Sequence, residues 1–181
     1  FGTNAPLFFG SKVAGAGDLD GDQIPDYLIA GGGSSFSGTP QGQVHAFSGA
    51  TGAILYSVSG SISGSSFGSS LAGGMDFSGD GVPDFVVGAE TEDIGPFTAA
   101  GKIYAFSGAN GSLLYTLPGY STEGRLGQSL ALSEDTNGDG QPDLIAGAHG
   151  SSPNGLGTAG QVYVYSATTG IYIVQIGRAH V

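Results

Sequence analysis

The stretch DLDGDQIPD, residues 18–26, decides the fold prediction for this chain of 181 residues. It places four aspartates in nine positions. The same spacing returns as DFSGDGVPD at residues 76–84 and as DTNGDGQPD at residues 135–143. Successive copies begin 58 and 59 residues apart. Internal repeats of this length are typical of stacked supersecondary units, so we expect three copies of one unit.

The composition excludes several classes of protein. Lys and Arg number 4 against 15 Asp and Glu, and a net charge of −11 disfavours nucleic acid as a partner. The chain has no Cys, which excludes a disulfide framework and a Cys-ligated zinc site. Apolar runs are all shorter than the 18 or so residues that span a bilayer, so no membrane span is expected.

Each unit is predicted to contain four β-strands. A short apolar stretch precedes the acidic loop, and the runs YLIAG, FVVGA and LIAGA follow it. After a Gly-rich loop come QVHAF, KIYAF and QVYVY, and after a turn come AILYSV, SLLYTL and IYIVQI. Val44 and Ala46 alternate with larger residues, as strands require, and no segment shows helical periodicity. Turns such as GATG and GANG supply the Gly and Asn of tight hairpins.

Four-stranded units at this period favour an all-β fold: a partial β-propeller of three four-stranded antiparallel blades, with the acidic loops between strands 1 and 2. A right-handed β-helix is the alternative, although its rungs are usually shorter. We predict one repeat domain over residues 1–181, with a lead-in at 1–8, blades at about 9–66, 67–125 and 126–177, and a possible sequence-assembly scar at 178–181.

The acidic loops are predicted to bind calcium. Like charges this close are unfavourable without a cation between them, and Ca²⁺ takes six to eight oxygen ligands. Side-chain oxygens recur at loop positions 1, 3, 5 and 9, and position 7 would offer its backbone carbonyl. The predicted ligands are Asp18, Asp20, Asp22, Ile24 and Asp26 in the first loop, Asp76, Ser78, Asp80, Val82 and Asp84 in the second, and Asp135, Asn137, Asp139, Gln141 and Asp143 in the third.

Two other interpretations of the loops fit the sequence less well. An EF-hand needs Glu at position 12, where this chain has Ile29, Val87 and Ala146 inside predicted strands. Aspartates can also serve merely as turn formers. Ten of the fifteen acidic residues lie in the three loops, and the spacing recurs with Pro-Asp at its end, which favours a metal clasp.

Together these features resemble the FG-GAP repeat of integrin alpha-subunit β-propellers and of bacterial surface and secreted proteins. Phe9-Gly10 and Phe67-Gly68 match its first signature, and Leu126-Gly127 departs conservatively. The second signature falls at residues 31–33, 88–90 and 147–149, without its proline. The resemblance implies about three Ca²⁺ ions, one per blade, and an extracellular or cell-surface adhesion or ligand-binding module.

The family's propellers usually have seven blades. The resemblance therefore implies that the three blades belong to a larger propeller or associate with copies of the chain through their open ends.

Strand parity predicts where a partner binds. Each acidic loop shares a face with the hairpin turns near Gly52, Gly111 and Gly170. The opposite face, called the long-loop face below, carries the other connections and the exposed aromatics Phe36, Phe97 and Tyr120. A protein or glycan ligand is expected there, because binding is usually built on variable loops of a rigid scaffold. The alternative is that these loops are solvated connectors. The segments of this face are residues 32–42, 59–66, 90–100, 118–125 and 149–159.

The sequence does not indicate an enzyme. GSSFG at residues 64–68 fits G-x-S-x-G, but that motif needs a helix after its Ser, and a strand is predicted here. His45 is expected to pack within a strand, and Asn110 of the NGS sequon to form a hairpin turn. Two further hypotheses remain open: a non-catalytic appendage of a secreted hydrolase or lyase, and a structural spacer.

Overall fold

The computed structural model describes residues 9–31, 42–152 and 159–176. In these ranges the chain forms three four-stranded antiparallel sheets and no helix. Each sheet takes its strands in chain order, so the predicted partial propeller of three blades is confirmed. The strands are β1 Lys12–Gly17, β2 Asp26–Gly31, β3 Gln43–Phe47 and β4 Ile54–Ser59 in blade 1, β5 Phe67–Met75, β6 Asp84–Ala89, β7 Lys102–Phe106 and β8 Leu113–Pro118 in blade 2, and β9 Ser129–Ser133, β10 Asp143–Ala148, β11 Gln161–Ser166 and β12 Tyr172–Ile176 in blade 3.

The hydrophobic cores lie between the sheets. One core joins blades 1 and 2 and contains Leu28, Phe67 and Phe85, while the other joins blades 2 and 3 and contains Val86 and Leu144. Phe85 and Val86 are consecutive residues of β6, and their side chains point to opposite faces because side chains alternate along a strand. Every residue of β6 is buried, since the middle blade is covered on both faces.

The outer faces of the arc are open. Phe9 is 61% exposed, whereas Phe67, at the same repeat position in blade 2, is 3% exposed. At the other end Val174 and Ile176 of β12 are 46% and 58% exposed. Val58, which pairs in β4 as Ile176 does in β12, is 8% exposed. Repeat positions that are buried between neighbouring blades are therefore exposed on the outer faces of blades 1 and 3.

In blade 2, hydrogen bonds connect two segments of the long-loop face. The backbone N–H groups of Glu123 and Arg125 donate to the carbonyls of Thr98 and Ala99, at 2.8 and 3.1 Å. The loop after β6 is thereby fastened to the link that leads into blade 3. Tyr120 is 75% exposed. Phe97 is half-buried, and Phe36 lies outside the described residues.

Across the described ranges, the search for a helix long and apolar enough to cross a membrane finds no candidate.

Candidate metal centre

The first acidic loop curls around the carboxylate of Asp18. Its Oδ1 accepts hydrogen bonds from the backbone N–H groups of Gly21 at 2.7 Å and Asp22 at 3.2 Å, and its Oδ2 accepts one from Gln23 at 2.8 Å. Gly21 has a φ of 82°, a left-handed conformation that glycine adopts without strain. Glycine at loop position 4 therefore allows the sharp bend of the loop.

The curl brings three carboxylates of the first loop together. Asp18, Asp20 and Asp22 each offer one oxygen, and these oxygens all lie within 4.8 Å of one another. Two ligands of one Ca²⁺ ion can be at most about 5 Å apart, because each lies 2.3–2.6 Å from the metal. The donor set is all oxygen and carries three negative charges, so it fits a hard divalent cation. Asp26, the fourth predicted carboxylate, is not part of this group.

The second and third loops repeat the hydrogen-bond pattern of the first. Asp76 accepts from the N–H groups of Gly79 and Gly81, at 2.7 and 2.8 Å. Asp135 accepts from Gly138 at 2.5 Å and Gly140 at 2.7 Å. The hydrogen bond from Gly140, and next that from Gly138, hold the pKa of Asp135 below its usual value. This first-position aspartate therefore stays charged, as a cation ligand must.

Position 3 differs among the loops in charge and in contacts. Asp20 of the first loop is replaced by Ser78, whose hydroxyl lies 3.5 Å from Asp76, and by Asn137. The side-chain amide of Asn137 donates to Asp139 at 3.1 Å and to Asp143 at 3.3 Å, so it contacts two carboxylates of its own loop. The loops therefore offer unequal donor sets for one type of ion.

Position 7 is oriented by its neighbour at position 5. The N–H groups of Ile24, Val82 and Gln141 donate to the position-5 carboxylates at 2.7, 2.9 and 2.9 Å. The Gln141 side chain accepts a hydrogen bond from the Thr168 hydroxyl at 3.2 Å and so points to the hairpin turn. That side chain contacts the turn instead of the loop centre, and the carbonyls of position 7 stay predicted ligands.

The position-9 aspartates are buried and already bonded to the protein. Asp26, Asp84 and Asp143 are 2%, 0% and 0% exposed. Asp26 accepts from the N–H of Leu19 at 2.6 Å and from the N–H of Gly49, in the β3–β4 turn, at 2.8 Å. Each carboxylate oxygen has two lone pairs, so these bonds leave room for a metal contact. In blades 1 and 2 position 9 thus joins its loop to the neighbouring hairpin turn, a role that the sequence pattern did not reveal.

The turn that contacts position 9 requires glycine in two of the blades. A Cβ on Gly49 would overlap the carbonyl oxygen of Pro25, and one on Gly108 would overlap that of Pro83. The third blade has Ala167 there, and its N–H donates to the Pro142 carbonyl at 2.9 Å instead of to a carboxylate.

Sequence reasoning also missed two tyrosines that join neighbouring blades. The hydroxyl of Tyr56 in β4 donates to the carbonyl of Gly108 in blade 2 at 2.6 Å. The hydroxyl of Tyr115 in β8 donates in the same way to the carbonyl of Ala167 in blade 3. Burial raises the pKa of both tyrosines, so they stay protonated donors. Both tyrosines occupy the same position of the repeat, and this recurrence could have drawn attention to them in the sequence. Blade 3 has Val174 at the equivalent position of β12.

An ion pair between buried Glu92 and half-buried Lys102 lies on the long-loop face of blade 2. Glu92 is 1% exposed, and its carboxylate accepts hydrogen bonds from Lys102 Nζ at 3.1 Å and from the Tyr104 hydroxyl at 2.7 Å. The Lys102 ammonium also lies 5.0 Å from the centre of the Tyr104 ring. In blade 3 a neutral set replaces it, with the hydroxyls of Ser151 and Tyr163 bonded to Gln161.

The residues of the G-x-S-x-G match and of the glycosylation sequon, and His45, have structural roles. Ser66 of the G-x-S-x-G match is followed by strand β5, and its hydroxyl bonds that of Thr91 at 2.7 Å. His45 is half-buried, and its Nδ1 lies 2.7 Å from the Ser57 hydroxyl. Asn110 accepts the N–H of Ser112 at 2.8 Å, as a hairpin turn requires.

Comparison with known proteins decides the family. The FG-GAP repeat model matches residues 67–106 and 126–165, which lie in blades 2 and 3. The chain belongs to the FG-GAP repeat family. Integrin alpha-11 of Homo sapiens is 34% identical over 157 residues, which cover 80% of this chain and 13% of that protein. Integrin alpha-3 of Cricetulus griseus is 32% identical over 164 residues, or 81% of this chain and 15% of that one.

Two other comparisons involve proteins named as enzymes. Phosphatidylinositol-glycan-specific phospholipase D of Bos taurus is 38% identical over 87 residues, covering 45% of this chain and 10% of that protein. The solved structure of a Bacillus licheniformis rhamnogalacturonan lyase aligns with 93% of this chain and 35% of its own, at a TM-score of 0.56 and 14% identity. That likeness shows the fold alone. The chain spans between 10% and 15% of the length of the curated relatives named here.

Proposed function

We propose that this chain is a calcium-binding FG-GAP propeller module that serves extracellular adhesion or ligand binding. The observation that carries the proposal is the convergence of Asp18, Asp20 and Asp22 within 4.8 Å, in a loop whose hydrogen bonding recurs in the other two blades. About three Ca²⁺ ions are proposed, one per blade. Bound calcium would neutralise the carboxylates and tie strand 1 of each blade to strand 2.

Location and partners follow from this proposal. Extracellular calcium modules have dissociation constants of about 10⁻⁴–10⁻³ M, which suits a secreted or surface protein. The proposed ligand is a protein or glycan that binds the long-loop face, where Tyr120 is exposed on a link fastened to its neighbour loop. The open apolar faces at Phe9 and Ile176 would be covered by further blades or by a second copy of the chain.

A second candidate function is a non-catalytic appendage of a secreted hydrolase or lyase. It is favoured by the similarity to a phospholipase D and by the fold shared with a rhamnogalacturonan lyase. In either case we assign no catalytic residue to this chain, because the acidic groups of the loops are committed to backbone hydrogen bonds and to the proposed cation.

Calorimetric titration with Ca²⁺, paired with thermal melts in chelator and in millimolar Ca²⁺, tests the proposal. We expect about three sites, a higher Tm with calcium, and tightest binding at the first loop, which has four carboxylates. Magnesium at the same ionic strength is the control. Absence of both binding and a Tm shift would reduce the loops to acidic turns and remove the main support for the extracellular assignment.

A further inference from the structure

We infer that Tyr56 of blade 1 is a positioning residue for the cation site of blade 2. The inference rests on the proposed calcium binding. It adds that the second acidic loop and the contact between blades 1 and 2 are energetically coupled, so that each strengthens the other. The coupling runs through Gly108, which lies in the turn between β7 and β8 of blade 2.

A continuous set of hydrogen bonds connects the two sites. The Tyr56 hydroxyl donates to the Gly108 carbonyl at 2.6 Å, and the Gly108 N–H donates to Oδ1 of Asp84 at 3.0 Å. The other oxygen of Asp84 accepts the N–H groups of Phe77 and Ser78, at 3.0 and 2.7 Å. One residue, Gly108, therefore stands between a tyrosine of blade 1 and a predicted calcium ligand of blade 2, with its carbonyl bonded to the first and its N–H to the second.

The burial of the turn shows that the preceding blade covers it. Gly108 is buried, whereas Gly49, at the same repeat position in blade 1, is exposed. A Cβ added to Gly111 would lie 2.8 Å from the Tyr56 ring, while one added to Gly52 would meet nothing within 4 Å. The Tyr56 ring thus lies against the turn that holds Asp84 and restricts its movement.

Blade 3 provides a matched comparison in which the link ends before the ligand. The Tyr115 hydroxyl donates to the Ala167 carbonyl, but the Ala167 N–H donates to the backbone carbonyl of Pro142 at 2.9 Å. Asp143 instead accepts hydrogen bonds from its own loop, from Thr136 and Asn137. The same tyrosine contact therefore reaches a ligand carboxylate in blade 2 and stops at the main chain in blade 3.

The direction of the effect follows from preorganisation. A cation site binds more tightly when its ligands are already held in place, because less ordering accompanies binding. Without the Tyr56 hydroxyl, the main chain at Gly108 loses one constraint, and the Asp84 carboxylate that it holds is ordered less firmly. One neutral hydrogen bond corresponds to about a two- to tenfold change in an equilibrium constant, so we expect a two- to fivefold higher Kd at the second loop. Linkage requires calcium at that loop to strengthen the blade contact equally.

The test compares Tyr56→Phe with Tyr115→Phe in the whole chain. Calcium is titrated while the backbone amide signals of Gly79 and Gly81 report the second loop and those of Gly138 and Gly140 report the third, by nuclear magnetic resonance. Y56F should raise the Kd of the second loop two- to fivefold and leave the third unchanged. Y115F, which loses the equivalent hydroxyl, should leave the Kd of the third loop within experimental error of the unsubstituted chain.

A second measurement needs no substitution. In the unsubstituted chain, calcium should slow hydrogen exchange of the Gly108 amide at least several-fold more than that of the Ala167 amide. Equal Kd values at the second loop in Y56F and the unsubstituted chain would overturn the coupling while leaving calcium binding intact. Calcium-insensitive glycine signals in all loops of the unsubstituted chain would overturn the proposed function and the coupling with it.

Discussion

Replacing Asp84 by Ala should destabilise the protein even when calcium is absent. The carboxylate is fully buried and accepts three backbone hydrogen bonds, from Phe77, Ser78 and Gly108, at 2.7–3.0 Å. Two of these donors, Phe77 and Gly108, belong to buried residues, so water cannot replace the lost acceptor. A buried donor without a partner costs about 1–3 kcal/mol, so the loss of the acceptor for two such donors should cost about 2–6 kcal/mol.

Asp80 of the same loop is the matched control. It is exposed, and its carboxylate accepts the N–H of Val82 at 2.9 Å. Asp80→Ala should therefore cost less than about 1 kcal/mol in chelator, although it removes a predicted calcium ligand. Asp84→Asn, which keeps one acceptor oxygen, should be intermediate and remains measurable if the alanine variant does not fold.

The assay is thermal unfolding followed by circular dichroism, in chelator and in millimolar calcium. One kcal/mol corresponds to about 2–4 °C for a protein of this size, so D84A should melt roughly 10 °C lower in chelator. D80A should melt near the unsubstituted protein in chelator and gain less from calcium. If D84A and D80A melt at the same temperature in chelator, position 9 has no structural role beyond metal binding and the reasoning fails.

Three further outcomes are expected. Gly111→Ala should cost about 1–3 kcal/mol more than Gly52→Ala in urea unfolding, because both have φ near 70° but the Gly111 Cβ alone would press on the preceding blade; equal costs would refute this contact. Lys102→Gln should destabilise by about 2 kcal/mol, because it leaves the buried charge of Glu92 without its partner, and substituting Glu92 by Ser as well should recover most of the loss in a double-mutant cycle. The free energy of unfolding should fall above pH 10, because tyrosines of the unfolded chain ionise there while buried Tyr56 stays protonated. Tyr56→Phe removes this contribution, so the urea midpoint should decrease less between pH 9 and pH 11 in the variant than in the unsubstituted protein.

The architecture could be predicted from the sequence because each strand and loop pattern occurs in three copies. Gly and Asp at fixed spacing determine a tight loop whose hydrogen bonds are local, so the acidic loops and the four strands around each could be predicted. The bends at Gly21, Gly79 and Gly138 have the left-handed φ values that the pattern implies. Local chemistry of this kind depends little on distant parts of the chain.

The contacts between blades could not be predicted in the same way. Tyr56 and Gly108 are 52 residues apart, and only the packing of one sheet on the next brings them together. The buried position of Asp84 was equally hidden, since in sequence it looks like any other loop aspartate. The replacement of the Glu92 ion pair by the neutral set around Gln161 also depends on partners that meet only in the folded blade.

The location of the cores between the sheets has a consequence for how the molecule resists force and proteolysis. A blade has little apolar interior of its own, so its stability is the sum of the contacts it makes with its neighbours. Blade 2 shares both cores, whereas blades 1 and 3 each share one of the two. Under tension, or during spontaneous opening, a terminal blade should therefore detach as a whole sheet, and cleavage should begin in the links between blades while β6 remains the last strand to exchange its amide hydrogens.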